Sequence, residues 1–399
     1  MIVAAAVLAL SSCASYDAVV EPPVPDGDSP RSWDVRAFVA VNGQDGEARD
    51  ACLRAAAAVA AGDADEAERE LRTAMDAGEG AWSEEARSAL LALLFDRCRW
   101  DDILALDGDP GSSFVAIAAA LVGAPRETLA FPRGTATLPI RLSLSGCPMV
   151  RARVNGVERW FWMDTGAAFS TVSGSLALEA GMGGTAAGDI STATSAHVGA
   201  GIATASLELG PAIFVDHPFF VLSDRDLTIL SIGPVPILKV DGIIGWNAIK
   251  RLDVHIDYAR RTVTVGEPVP GPRGQPVLFW YGYPLVKAHG AGIEPLLFGL
   301  DTGARLTTLR HGLLDRLGLE YSASTVWVGG AGGGELMESR EVDRFSFSVA
   351  ARTVTLRKAT SQPDRPVAVL RVDGVIGSDV FRRTTLRLDA SNGVFEIGR

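Results

Sequence analysis

The chain has 399 residues but only 4 cysteines and 5 histidines. Zinc and most other transition-metal sites draw on those two side chains, so their scarcity argues against a metal enzyme built on them. The histidines (His197, His217, His255, His289 and His311) show no HExxH pattern or close ligand spacing, and are read as structural or surface residues. Basic charge is also short: 37 Lys and Arg stand against 48 Asp and Glu, a net charge of -11. A nucleic-acid binder needs the opposite balance to release phosphate counterions, so no nucleic-acid partner is expected. No 18-residue apolar run occurs in the body of the chain, which excludes a polytopic helical membrane protein. Yet 47% of the residues are hydrophobic and 21% charged, which rules out wholesale disorder. At about 150 residues per domain, the length implies two or three folded units. Glycine is what the sequence has in plenty, with 43 residues placed unevenly.

Residues 1–12 form an apolar stretch too short to span a bilayer. It runs into Leu10-Ser11-Ser12-Cys13, which resembles a bacterial lipobox, where the cysteine is lipidated and becomes the mature N-terminus. The expectation is a lipoprotein signal peptide over 1–13, lipidated at Cys13. Ala14 after the cysteine then implies an outer-membrane anchor on the periplasmic side of a bacterial envelope. An ordinary secretory signal is the alternative, because no Lys or Arg precedes the apolar run. Residues 14–34, with Pro22, Pro23, Pro25 and Pro30, read as a linker. Cys52 and Cys98 could pair in an oxidising compartment while Cys147 has no evident partner; three buried free thiols is the other reading.

Residues 35–130 are expected to be an all-α domain of helical hairpins. One helix carries Ala51, Leu53 and Ala55 to Val59; Gly62 stops it and Asp63 caps the next, which carries Ala67, Leu71 and Met75. A third holds Ala86, Leu90, Leu93 and Leu94, and a fourth follows Trp100. The Gly62–Ala67 turn resembles that of tetratricopeptide-like hairpins, and Trp100-Asp101-Asp102 follows about one such repeat later. This segment is either a packing domain or spacer, or a groove for a protein partner.

Beyond residue 135 the character changes to short β-branched runs separated by glycine, the pattern of an antiparallel β fold. Here the chain repeats itself. Pro148-Met149-Val150-Arg151-Ala152 matches Pro284-Leu285-Val286-Lys287-Ala288, and Gly156-Val157-Glu158 matches Gly292-Ile293-Glu294, both at an offset of 136. Asp164-Thr165-Gly166-Ala167 matches Asp301-Thr302-Gly303-Ala304 at 137. Val240–Gly245 matches Val372–Gly377, and Ile256-Asp257-Tyr258 matches Leu388-Asp389-Ala390, both at 132. Matches in one order with nearly constant offset mark an internal duplication: lobes over 136–268 and 275–399, joined by a Pro- and Gly-rich stretch.

In each copy the Asp-Thr-Gly-Ala element follows an apolar strand, so its carboxylate sits where the strand turns. Two equivalent sites can meet across a pseudo-two-fold axis and bring both carboxyls into one pocket. At about 3 Å apart they cannot both ionise, so one serves as base and the other as acid. These residues resemble the aspartic peptidase superfamily, its retropepsin-like branch in particular: an apolar strand, Asp-Thr-Gly, a glycine-rich flap, then two apolar residues and Gly, all present twice. The flap candidates are His197-Val198-Gly199-Ala200-Gly201-Ile202 and Val328-Gly329-Gly330-Ala331-Gly332-Gly333-Gly334. The closing elements are Ile243-Ile244-Gly245 and Val375-Ile376-Gly377, followed by Asn247 and Asp379.

The resemblance implies a mainly β, bilobal pseudo-two-fold aspartic peptidase fold after the helical segment. It implies Asp164 and Asp301 as the catalytic pair, Thr165 and Thr302 interlocked beneath them, and Gly166, Ala167, Gly303 and Ala304 supporting the site. Val198, Gly199, Ala200, Gly201, Gly329, Gly330, Ala331 and Gly332 become the flaps that close over a polypeptide substrate. No metal or cofactor is called for. The implied activity is endopeptidase hydrolysis of envelope proteins; a non-catalytic binding or scaffold lipoprotein on the same fold is the alternative. Asp241 and Asp373 are read as turn residues, and Trp160 and Trp162 as core or lobe-edge filling.

Overall fold

The structure, a computed structural model, describes residues 18–21, 34–39, 46–78, 80–109, 112–191, 197–232, 235–270, 276–290, 295–365, 367 and 369–398. Cys13, its apolar leader and most of the expected linker lie outside the described residues.

Among the described residues, five α-helices follow a short strand (Val19–Val20) and a 3-10 turn (Val35–Phe38): α1 (Glu47–Ala60), α2 (Ala64–Asp76), α3 (Ala81–Asp96), α4 (Trp100–Leu106) and α5 (Ser113–Leu121). Gly62 takes a φ of 81° after α1, and the Asp63 carboxylate accepts the Glu66 N–H at 3.0 Å to start α2. Buried alanines (Ala51, Ala55, Ala67 and Ala74) let α1 and α2 pack closely. Neither a spacer nor a free-standing unit results. Their core continues into Phe169 and Phe220 of the first lobe and Phe279, Tyr281 and Leu297 of the second. Phe95 of α3 meets Phe169 with ring centroids 5.0 Å apart, and the Lys287 ammonium donates to the Ala60 carbonyl at 2.9 Å. The helices end at Leu121, and Thr128–Ala130 is already a strand paired with Ala212–Leu222, so the helical segment stops short of residue 130.

Among the described residues, the rest is mainly β, in sheets of 13, 9 and 2 strands. Each lobe repeats one kernel. The hairpin Pro148–Val154/Val157–Met163 corresponds to Pro284–Gly290/Pro295–Leu300. The second strand of each pairs in parallel with Gly242–Ile244 or Gly374–Ile376, which pairs antiparallel with Thr171–Ser173 or Thr308–Arg310. Glycine is required where these cross. A Cβ on Gly245 would lie 2.4 Å from the Phe169 carbonyl carbon, and one on Gly377 2.6 Å from that of Leu306. Backbone cannot yield to either, which is why the apolar pair is followed by glycine in both copies.

Two pairings cross the expected boundaries. Val19–Val20 adds to the strand Arg352–Gln362 of the second lobe, so part of the expected linker is ordered strand. The last strands, Thr385–Asp389 and Val394–Ile397, join the sheet of the first lobe through Asp253–Asp257. In that pairing His255 stands opposite Arg387, its equivalent at offset 132. Equivalent residues face each other only where a two-fold axis passes, so this register locates the pseudo-symmetry axis.

Candidate active site

The same axis passes through the two Asp-Thr-Gly turns. Thr165 N–H donates to Thr302 Oγ1 at 3.1 Å and Thr302 N–H to Thr165 Oγ1 at 3.0 Å. The Thr165 hydroxyl donates to the Leu300 carbonyl at 2.9 Å, and the Thr302 hydroxyl to that of Met163 at 2.7 Å. All four bonds are buried and all are reciprocal. Above them the glycines face the opposite acids: a Cβ on Gly166 would lie 2.6 Å from Asp301 Cγ, and one on Gly303 2.6 Å from Asp164 Cγ. With no side chain at either place, each acid faces the glycine of the opposite turn, and the charge of Asp301 bears on Asp164.

Each Asp is anchored alike. Asp164 N–H donates to the Ile244 carbonyl and Asp301 N–H to that of Ile376, both at 3.0 Å. Each carboxyl accepts backbone N–H groups of its own turn, Gly166 to Asp164 at 2.9 Å and Ala304 to Asp301 at 2.8 Å. The acids are half-buried at the surface yet enclosed by protein on most sides. Desolvation raises Asp164 well above the ordinary carboxylate range, with the charge of Asp301 adding to the rise. Desolvation also raises Asp301, opposed by the Ala304 N–H. Such a pair shares one proton and titrates as a unit. Chemically it can deprotonate a water while protonating an acceptor oxygen.

The flap candidates differ. Gly329, Gly330, Ala331 and Gly332 form the tip of the hairpin Ser322–Gly330/Gly333–Val349, with Gly332 at φ 84°. The Gly332 N–H donates to the Asp226 carbonyl of the first lobe at 2.7 Å. Beneath the tip, Gly329 approaches Ile229, which also packs against the cluster of Cys147, Trp162 and Val240. Val198, Gly199, Ala200 and Gly201 instead lie on the strand His197–Leu209, paired with Thr185–Ser191. Val198 and Ala200 are buried in the core shared with the helices. The connection between those two strands, 192–196, lies outside the described residues.

Among other sequence candidates, Trp162 is buried, and Trp160 is half-buried between the guanidiniums of Arg141 and Arg151. The three described cysteines are free thiols, Cys52 and Cys147 buried and Cys98 exposed. Asp373 is more than a turn residue: it is buried, accepts the Leu297 N–H at 2.9 Å and pairs with Arg316 at 2.9 Å. Asp241 is exposed enough to leave only a loose contact with Lys239 at 3.8 Å. Among the described residues, no group of three or more His, Cys, Asp or Glu is placed to hold a metal. The buried His217 bridges Glu127 and the Ser170 hydroxyl, which lies 2.9 Å from Nε2. That hydroxyl is fully buried and accepts the Gly245 N–H at 3.1 Å, so the arrangement braces a turn.

Thr307 and Asp379 occupy the corresponding place in the second lobe, Asp379 Oδ1 accepting the Thr307 hydroxyl at 2.7 Å and its N–H at 2.9 Å. Burial pushes Asp379 up to about 6. A folded-state value above the unfolded one means the folded protein binds this proton more tightly. The contribution is full below about pH 4 and is lost as pH rises through about 6. Asp379→Asn, which installs the residue that the first lobe carries as Asn247, is expected to flatten that fall by about 2–3 kcal/mol. Denaturant midpoints of both proteins from pH 4 to 8 measure it.

One neighbour of the acids has no counterpart in any local motif. The Tyr283 ring fills the space beside Gly299, where a Cβ would lie 2.8 Å from its Cε1, and burial with the charge of Asp301 pushes its hydroxyl well above the ordinary phenol range. Only the offset of 136, which places Tyr283 and Cys147 just ahead of the repeated Pro284 and Pro148, could have drawn attention to it. No curated protein matches the chain. The family model described as aspartyl protease matches it twice, over residues 150–248 and 286–380, once in each lobe. These matches support a peptidase function with a polypeptide substrate, and the architecture is consistent with a bilobal aspartic protease fold.

Proposed function

We propose that the chain is an aspartic endopeptidase in which Asp164 and Asp301 activate one water between them. The observation that carries this reading is the pair of acids set against each other's glycine on the pseudo-two-fold axis, above reciprocal Thr hydrogen bonds. The ionised acid takes a proton from water as the oxygen adds to the amide carbonyl, and the protonated acid neutralises the developing oxyanion. An extended peptide would lie between the acids and the hairpin tip at Gly329–Gly332. In this reading the family's two flaps work unequally, because the strand bearing Val198–Gly201 is held by the helical core. Envelope location, lipidation at Cys13 and envelope-protein substrates rest on the sequence signal alone.

The test is to incubate the purified protein with an unfolded polypeptide between pH 4 and 7, with and without a hydroxyl-bearing transition-state mimic. Cleavage inside the chain that the mimic suppresses supports the proposal. Absence of both cleavage and saturable binding of the mimic would favour a non-catalytic scaffold.

A further inference from the structure

The strand Arg352–Gln362 of the second lobe takes Val19–Val20 along its edge, Val19 opposite Thr355 and Val20 opposite Val354. The pairing is antiparallel, so the chain toward the N-terminus leaves along Leu356, Arg357 and Lys358, and Ala18 lines a small cleft with all three. Glu21 fastens the other end, its N–H donating to the Thr353 carbonyl at 2.9 Å. Five peptide steps separate Ala18 from Cys13. A trans chain advances by at most about 3.6 Å per residue, so Cys13 lies within about 18 Å of Ala18 however those steps are arranged. A lipid on Cys13 would therefore bring this edge of the second lobe up to the bilayer surface.

The side chains there suit such a surface. Arg344, on the strand Gly333–Val349, stands directly opposite Arg357; both are exposed, as is Lys358. Like charges in direct cross-strand register repel. Among the described residues none of the three makes an ion pair or a side-chain hydrogen bond, and the neighbouring exposed acid, Asp343, bridges to none of them. The fold gains nothing from this arrangement; an external anion would. Val19, 43% exposed, adds apolar surface beside it. The whole chain carries a charge of -11, so an anionic surface repels most of the molecule and attracts this patch.

We propose that this edge of the second lobe, Val19 with Arg344, Arg357 and Lys358, is a docking face for an anionic phospholipid surface, with the chain from Cys13 as its tether. The inference rests on the reading of Cys13 as the lipidated residue for its setting, and not on the peptidase chemistry. It also orients the cleft. The strand that carries Arg344 begins at Gly333, beside the flap tip, and eleven residues at about 3.3 Å each put that tip up to about 36 Å from the patch. The acids beneath the tip are then offered to polypeptides in the aqueous compartment, not to segments embedded in lipid.

The chain has four lysines, which makes amine acetylation a simple readout. Lys250 pairs with Asp96 at 2.7 Å and Lys287 donates to the Ala60 carbonyl, leaving Lys358 in the patch and Lys239 on the hairpin that meets the flap tip. The test couples the chain from Cys13 onward, through that cysteine, to maleimide-bearing lipid in phosphatidylcholine vesicles with or without phosphatidylglycerol. A Cys98→Ser background is used because Cys98 is also exposed. Mass spectrometry follows acetylation. With phosphatidylglycerol, Lys358 is expected to react about five-fold more slowly than in the unanchored chain, the factor for one lysine held at an anionic surface, while Lys239 keeps its rate. In Arg344→Gln/Arg357→Gln the part of the protection that depends on phosphatidylglycerol should disappear. Unchanged reactivity of Lys358, equal slowing of both lysines, or slowing that is the same on both vesicle types would each overturn the proposal. The mass of the mature protein from a Gram-negative host decides separately whether Cys13 carries lipid. An unlipidated Cys13 would end the envelope reading, while the chemically anchored chain still decides whether this face docks.

Discussion

Asp164→Asn and Asp301→Asn are each expected to lower kcat/KM on an unfolded polypeptide by about 10³-fold or more. An amide keeps the shape of the carboxyl but can neither accept the water proton nor hold the shared one. Because the pair works as a unit, the double substitution should lose little more than either single one. The fold should survive: each change removes an ionisable group from a crowded, poorly solvated place where desolvation disfavours its charge. Thermal unfolding of the variants separates lost chemistry from lost structure. Cleavage that persists in both single variants would place the chemistry elsewhere.

The second large effect concerns stability. Thr165→Val removes the hydroxyl that donates to the Leu300 carbonyl and accepts the Thr302 N–H, and Thr302→Val does the same to Met163 and Thr165. Valine fills the same space but leaves two buried backbone groups of the opposite lobe unpaired. Each substitution is expected to cost about 2–5 kcal/mol in denaturant unfolding. The two hydroxyls have no bond in common, so the double variant should cost about the sum, and any departure measures coupling between these neighbours. A loss below about 0.5 kcal/mol, the range of surface changes, would mean that the lobes are not held together here.

What could be read along the chain was whatever a short stretch decides for itself. Asp63 announces a helix start because its carboxylate can satisfy an N–H three residues on, and it does so. The apolar pair ending in Gly245 or Gly377 could be read because backbone presses on those glycines in both copies. The duplication itself carried the largest inference, bringing together acids 137 positions apart.

The rest depends on partners that no window contains. Val19–Val20 is too short to announce a strand and becomes one only at the edge offered by Val354 and Thr355. Thr385–Asp389 looks like an ordinary end of the second lobe, yet pairs with its own counterpart in the first. Asp373 has the look of a turn residue before Gly374, and only Arg316 and the Leu297 N–H make it a buried acceptor. Val198–Gly201, read as a flap from its glycines, lies on a strand with Val198 and Ala200 buried against the helices, and the connection 192–196 beside it lies outside the described residues. Tyr283 gives no local signal at all, because what matters is that position 299 has no side chain.

The most direct test of the central claim is a crystal structure with a hydroxyl-bearing peptide isostere bound. If Asp164 and Asp301 act as one proton-sharing pair, the isostere hydroxyl will lie within about 3 Å of both carboxyls, with the peptide extended under the Gly329–Gly332 turn. An isostere bound away from the pair, or carboxyls too far apart for one hydroxyl to touch both, would contradict it.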